Sequence, residues 1–149
     1  FGGTIHEPIL NIEIYKGHEL VQTIQYTYED TFMLAKHFDL TDINFDGFST
    51  EKSDNFTFMF WGCSSLEKLD LSDFTVSTDS VASMFRETAL KEITLGEKFK
   101  SITKNMMLAN DGWANKNSPD VSVGGEGEYA EFSNNGKNTY IVTGVISHQ

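Results

Sequence analysis

The sequence predicts an α/β fold, a short solenoid of about three coils, and three observations carry that expectation. The pattern Leu66-x-x-Leu69-x-Leu71-x-x-Phe74 lies over Leu40-x-x-Ile43-x-Phe45-x-x-Phe48 with every apolar position displaced by 26 residues. A third copy, Leu90-x-x-Ile93-x-Leu95, follows at a displacement of 24, with Phe99 one place late against Phe74. A second anchor travels with the first: Met33-Leu34, Met59-Phe60 and Met84-Phe85 recur at 26 and 25 residues, and Val81 follows Phe56 at 25.

A period near 25 falls in the leucine-rich-repeat range of roughly 20–29 residues. The L-x-x-L-x-L unit supplies a short strand with alternate side chains turned inward. Ser80–Phe85 spaces its apolar residues at three and four, as one or two helical turns would. One coil cannot bury its inward residues alone, but stacked coils can. The expected architecture is therefore a leucine-rich-repeat-like solenoid of short parallel strands and short helical turns over residues 31–100. An N-terminal β-hairpin over 1–30 and a β-rich C-terminal cap over 101–149 flank it, all within one domain. The length of 149 residues suits one domain, and 39% hydrophobic with 13% aromatic residues suffices for a packed core.

The elements follow in order. Ile9–Tyr15 and Leu20–Tyr28 are rich in β-branched and aromatic residues, and Lys16-Gly17-His18-Glu19 between them reads as a turn, with Pro8 marking the start. The repeats place Leu40, Ile43, Phe45, Phe56, Phe60, Leu66, Leu69, Leu71, Phe74, Phe85, Leu90, Ile93 and Leu95 in the core. Asn110–Asp120 and Gly124–Gly127 carry loop chemistry. Glu128–Phe132 and Thr139–Val142 read as strands, and the Asn135-Gly136 pair between them favours a tight hairpin turn.

Met59-Phe60-Trp61-Gly62-Cys63-Ser64-Ser65-Leu66-Glu67-Lys68-Leu69-Asp70-Leu71-Ser72-Asp73-Phe74 resembles the repeat of the BspA-like leucine-rich-repeat surface proteins. That repeat runs M-F-x-G-C-S-S-L-x-x-L-D-L-S-x-F and continues into a Thr/Ser/Val stretch, here Thr75–Thr78. The resemblance is strongest over residues 56–74, weaker over 75–95, and degenerate over 33–48, where Ala35-Lys36-His37-Phe38 stands at the Gly-Cys-Ser-Ser corner. It implies an extracellular, cell-surface protein of Gram-positive bacteria or mycoplasmas. The implied role is adhesion or recognition of a host or bacterial surface protein or glycan, with no catalytic residue. A start at Phe1 rather than Met reads as a processed or truncated piece of a longer protein.

Charge narrows the partners. Lys and Arg total 11 against 22 Asp and Glu, a net charge of −11, and such a surface repels nucleic acid and anionic lipid headgroups. No run of 18 apolar residues exists, so membrane insertion by this segment is not expected. Cys63 is the single cysteine, which excludes an intrachain disulfide and a cysteine-rich metal site, and its place in the repeat corner predicts a small buried side chain. His6, His18, His37 and His148 lack metal-ligand spacing. Asp42-x-Asn44-x-Asp46-Gly47 matches the opening of a calcium loop, but Ser49 and Ser53 stand where that loop needs an apolar residue and an acid. A repeat strand is the better reading. With no catalytic motif present, neither an enzyme nor a cofactor is expected.

Binding residues then belong on the outward face of the repeat strands. A three-strand register puts Asp42, Lys68 and Glu92 in one row, Asn44, Asp70 and Thr94 in the next, and Asp46, Ser72 and Gly96 in the third. Lys68 would stand between two carboxylates. Trp61 takes a repeat position held by Ala35 and Arg86 in the other copies, so it should be exposed or half-exposed. The candidate set is Asp42, Asn44, Asp46, Lys68, Asp70, Glu92 and Trp61. A structural spacer or cap is the alternative to a binding module, and a sugar-stacking platform of Trp61, Trp113, Tyr129 and Tyr140 comes third.

Overall fold

Alternating β-branched and aromatic residues give the chain its first strands. A computed structural model of the chain describes residues 10–26, 40–45, 50–51, 55–77 and 79–146. Strands β1 (Leu10–Lys16) and β2 (Glu19–Tyr26) form an antiparallel hairpin about the expected turn, where Gly17 takes a φ of 64° that a residue without Cβ adopts freely. Strand β3 (Asp42–Asn44) joins the same sheet antiparallel to β1, with Ile43 opposite Ile14. Thr41 secures the join. Its N–H and its hydroxyl both donate to the Tyr15 carbonyl, at 2.9 and 2.8 Å, while Oγ1 accepts from the Gly17 N–H at 2.7 Å.

Strands β4 (Lys68–Leu71) and β5 (Glu92–Leu95) are the second and third copies of the repeat strand. They pair in parallel, Lys68 opposite Glu92 and Leu71 opposite Leu95. Short strands β6 (Ser101–Ile102) and β8 (Phe132–Ser133) pair antiparallel. Strand β9 (Asn138–Val142) lies antiparallel between β5 and β7 (Trp113–Asn115), giving the order β4-β5-β9-β7. Among the described residues the one helical segment is a 3-10 turn, Lys104–Met106.

The expected α/β solenoid of about three coils is thus not what the chain builds. Apart from that turn the described residues are sheet and coil, and the four-stranded sheet is mixed rather than parallel. Hydrogen bonding explains why the anchor segments do not become helices. The N–H groups of Phe56, Phe58, Phe60 and Gly62 donate sideways to the carbonyls of Ser80, Ala82, Met84 and Arg86 at 2.7–3.0 Å. Those of Met59, Trp61 and Cys63 reach back to Phe56, Phe58 and Phe60. An α-helix needs each of these donors along its own axis, and here every second one serves the neighbouring segment. The left-handed backbone at Phe58 (φ 62°) and Ser83 (φ 57°) interrupts any helix as well.

Two further expectations at the C-terminal end need correction. Residues 128–132 and 139–142 do not form a hairpin, since β8 pairs with β6 whereas β9 pairs with β5 and β7. The turn-rich stretch 110–120 contains β7, because Trp113 is fully buried and its indole N–H donates to the Ala109 carbonyl at 2.9 Å.

The apolar repeat positions do make the core. All thirteen named from the sequence are buried, none more than 9% exposed, and Cys63 is buried with them. Phe60 stacks on Phe85 at 5.9 Å with planes 2° apart, and Phe45 meets Phe60 and Phe74 edge-on at 6.1 and 5.1 Å. Pro8, Met33, Leu34 and Phe48 lie outside the described residues.

Asn134 is buried and ties the C-terminal strands together. Its Nδ2 donates to the carbonyls of Gly96, Phe99 and Gly136, each at 2.9 Å. Its Oδ1 accepts from the Tyr140 hydroxyl at 2.8 Å and from Asn138 Nδ2 at 2.9 Å. These bonds turn the chain away from β8 and start β9 beside β5. Burial pushes the Tyr140 hydroxyl pKa above its ordinary value.

Two outcomes follow from this packing. Leu69, 2% exposed, fills the centre of β4, so Leu69→Ala should lower the unfolding free energy by about 2–5 kcal/mol in a urea titration. The raised Tyr140 pKa means the folded state holds a proton that the unfolded state releases near pH 10. Its contribution is complete below that pH and lost as pH rises through the folded value. Tyr140→Phe should therefore make the alkaline decline in stability shallower when unfolding is measured across pH 10 and above.

Candidate functional site

Strand β3 ends one sheet and β4 ends the other, so each has an edge that no other described strand pairs. A cleft of about 410 Å³ opens beside these two strands. Asp42, Asp70, Asp73, Ser72 and Tyr15 supply its polar lining, and Ile43, Phe45 and Phe74 its apolar lining. Strand alternation puts the acids there: Ile43 and Leu69 are buried, while their neighbours Asp42 and Asp70 are exposed. Both carboxylates are oriented locally. Asp42 Oδ1 accepts from the Ile43 N–H and Asp70 Oδ1 from the Ser72 N–H, each at 2.9 Å. No Lys or Arg is among the described residues lining the cleft, and none of its three acids takes part in an ion pair with a described residue.

The structure brings together only part of the candidate set. Asp42 and Asp70 share the cleft. Lys68 and Glu92 face each other across β4 and β5 at 3.2 Å, but Glu92 also meets Lys116 at 3.8 Å. The expected order is inverted, with one acid between two bases, because β3 pairs with β1 and Lys116 follows β7 in the β4-side sheet. Thr94 stands opposite Asp70 as expected, yet it is 9% exposed and hydrogen-bonds Thr139 at 2.8 Å, since β9 covers that side. Gly96 is buried, not outward: a Cβ there would lie 1.9 Å from the Ser72 carbonyl oxygen. Asn44 occupies the last position of β3, and Asp46 lies outside the described residues.

Trp61 sits apart from the cleft lining, half-buried, with its indole N–H donating to Glu87 Oε2 at 2.6 Å and its ring 5.3 Å from Phe58. Trp113 and Tyr140 are buried in the core, so the four-ring sugar platform is not assembled. Sequence reasoning missed Tyr15 and Asp73. Tyr15 reaches the cleft through the β1–β3 pairing, for which the sequence carries no local signal, and Asp73 reaches it through the turn at Ser72-Asp73 directly after β4, where the register expected from the sequence continues the outward rows to Ser72.

The calcium-loop opening is a strand at Asp42–Asn44, while Asp46, Gly47, Ser49 and Ser53 lie outside the described residues. Among the described residues no three of His, Cys, Asp and Glu gather to hold a metal ion. His18 is exposed at the hairpin turn, and His6, His37 and His148 lie outside the described residues. No helix among the described residues is long and apolar enough to cross a membrane. Comparison with known proteins finds no matching family, no matching curated protein and no matching solved structure.

The Lys68–Glu92 pair should matter little energetically. Lys68 is 73% exposed at its side chain, so solvent screens the attraction. A double-mutant cycle with Lys68→Ala and Glu92→Ala should return a coupling of about 0.2–1 kcal/mol, smaller at high salt.

Proposed function

We propose that the chain is a non-catalytic protein-recognition module that receives a basic, extended segment of a partner protein in the cleft beside β3 and β4. The observation that supports this reading is the lining, three carboxylates set over Ile43, Phe45 and Phe74 with no lysine or arginine among the described lining residues. A net charge of −11 adds long-range attraction for a cationic partner and speeds its encounter. The edges of β3 and β4 that no other described strand pairs offer backbone donors and acceptors to an extended chain, as in recognition by strand addition. The resemblance of residues 56–74 to BspA-like repeats favours a bacterial cell surface as the setting and adhesion as the use. A pure spacer has no use for three acids gathered in one cleft with no counter-charge among its described lining residues.

The test compares two triple variants that remove the same charge. Asp42→Ser, Asp70→Ser and Asp73→Ser together should weaken binding of a fluorescent oligolysine peptide by roughly tenfold, read by anisotropy at low salt. Glu97→Gln, Glu128→Gln and Glu131→Gln, all at exposed positions, should weaken it far less. Equal affinities in the two folded variants would leave the cleft without a role in recognition.

A further inference from the structure

Asn135-Gly136 turns no hairpin, because β8 and β9 belong to different sheets. The pair lies in the link between those strands, with Asn135 exposed. The state of its amide groups sets it apart. The N–H that follows Asn55, Asn105, Asn110, Asn115 and Asn117 is donated in each case to a backbone carbonyl. Asn134 and Asn138 have their side-chain Nδ2 groups bonded. At Asn135 neither restraint is present. Its side chain makes no hydrogen bond with a described residue, and neither does the Gly136 N–H. The two backbone carbonyls, by contrast, are held. That of Asn135 accepts from Asn138 Nδ2 at 2.8 Å, and that of Gly136 accepts from Asn134 Nδ2 at 2.9 Å. Gly136 sits at a φ of 79°, and a Cβ added there would meet no atom within 4 Å, so the link is open on that side.

We propose that Asn135 is a site of spontaneous covalent modification, at which the Gly136 nitrogen attacks the Asn135 side-chain carbonyl carbon. A bond forms between that nitrogen and Cγ, and the bond from Cγ to Nδ2 breaks. Nδ2 departs as ammonia, with the proton that the Gly136 nitrogen gives up, and a succinimide ring remains. Water then opens the ring at either carbonyl, leaving aspartate or isoaspartate at position 135. Glycine suits the attacking position, since without Cβ its nitrogen is approached closely. Both products add a negative charge. Isoaspartate also routes the backbone through Cβ and Cγ, which lengthens the link by one methylene and moves the Gly136 carbonyl away from Asn134 Nδ2. The same Asn134 side chain holds Gly96, Phe99 and Tyr140, so the change at position 135 reaches the bonds that set β9 beside β5. A buried polar network left partly satisfied loses stability. The inference stands independently of the acidic cleft, and either reading can fail alone.

The test incubates the folded protein in mildly alkaline buffer and maps its peptides by mass spectrometry over time. Asn135 should lose its amide before any other asparagine, about tenfold faster than the next. Both aspartate and isoaspartate should appear there, the latter labelled by protein isoaspartyl methyltransferase. Asn135→Ser should abolish that label and leave the thermal midpoint unchanged, because the Asn135 side chain bonds no described residue. Asn135→Asp adds the charge without the extra methylene, so it should melt like the parent chain. The isoaspartyl form, separated by ion exchange, should melt roughly 3–6 °C lower. An intact Asn135 in the folded protein while the urea-unfolded chain loses that amide, or earlier loss at another asparagine, would overturn the assignment of the site. An isoaspartyl form as stable as Asn135→Asp would overturn its coupling to β9.

Discussion

A sideways backbone register holds the molecule together. From Phe56 to Gly62, alternate N–H groups donate to carbonyls 24 residues onward, and the same interval reappears in the parallel pairing of Lys68 with Glu92 and Leu71 with Leu95. This register lays Phe60 flat on Phe85 and sets Leu69 beside Ile93. It also determines what the chain cannot be, because donors committed to a neighbouring segment are lost to a helix. The third copy, shorter by one residue at its corner, still reaches the same strand register. There Glu87 adopts a φ of 59° in the place that Gly62 holds at 78° in the copy before.

The parallel pair leaves two edges, and the chain treats them differently. β9 covers the edge of β5, guided by the Asn134 side chain, which reaches Gly96 and Phe99 on one side and Asn138 and Tyr140 on the other. No described strand covers the outer edge of β4. Since β3 is committed to β1 by Thr41, the two sheets end beside one another without joining. The acidic cleft is the result. Its chemistry comes from strand alternation, which buries Ile43 and Leu69 and leaves Asp42 and Asp70 in water.

How much of this the sequence disclosed depends on the range of the interactions involved. Apolar periodicity is a local signal of burial, and the repeat positions from Leu40 to Leu95 are buried. The hairpin was visible because Gly17 and the flanking runs are local too. The spacing of Val81, Met84 and Phe85 misled, because stacked turns bury residues at intervals of three and four just as helical turns do. Strand β7 was hidden inside turn chemistry, its identity set by the burial of Trp113 and by its pairing with β9, further along the chain. In the candidate site, Asp42 and Asp70 were legible as outward strand residues. Their companions Tyr15 and Asp73 were not, since what gathers them is the Thr41–Tyr15 bonding and the divergence of two sheets.

The position of β9 also bears on how the protein is made. Thr94 and Thr139 face each other although they stand 45 positions apart, so the central sheet cannot close until β9 has been synthesised. Until then the nascent polypeptide carries a parallel pair with β5 bare on one side, a template on which a second nascent copy can assemble. Asn134 emerges from the ribosome just before the strand it directs, so the guide for correct closure is in place when the missing strand arrives.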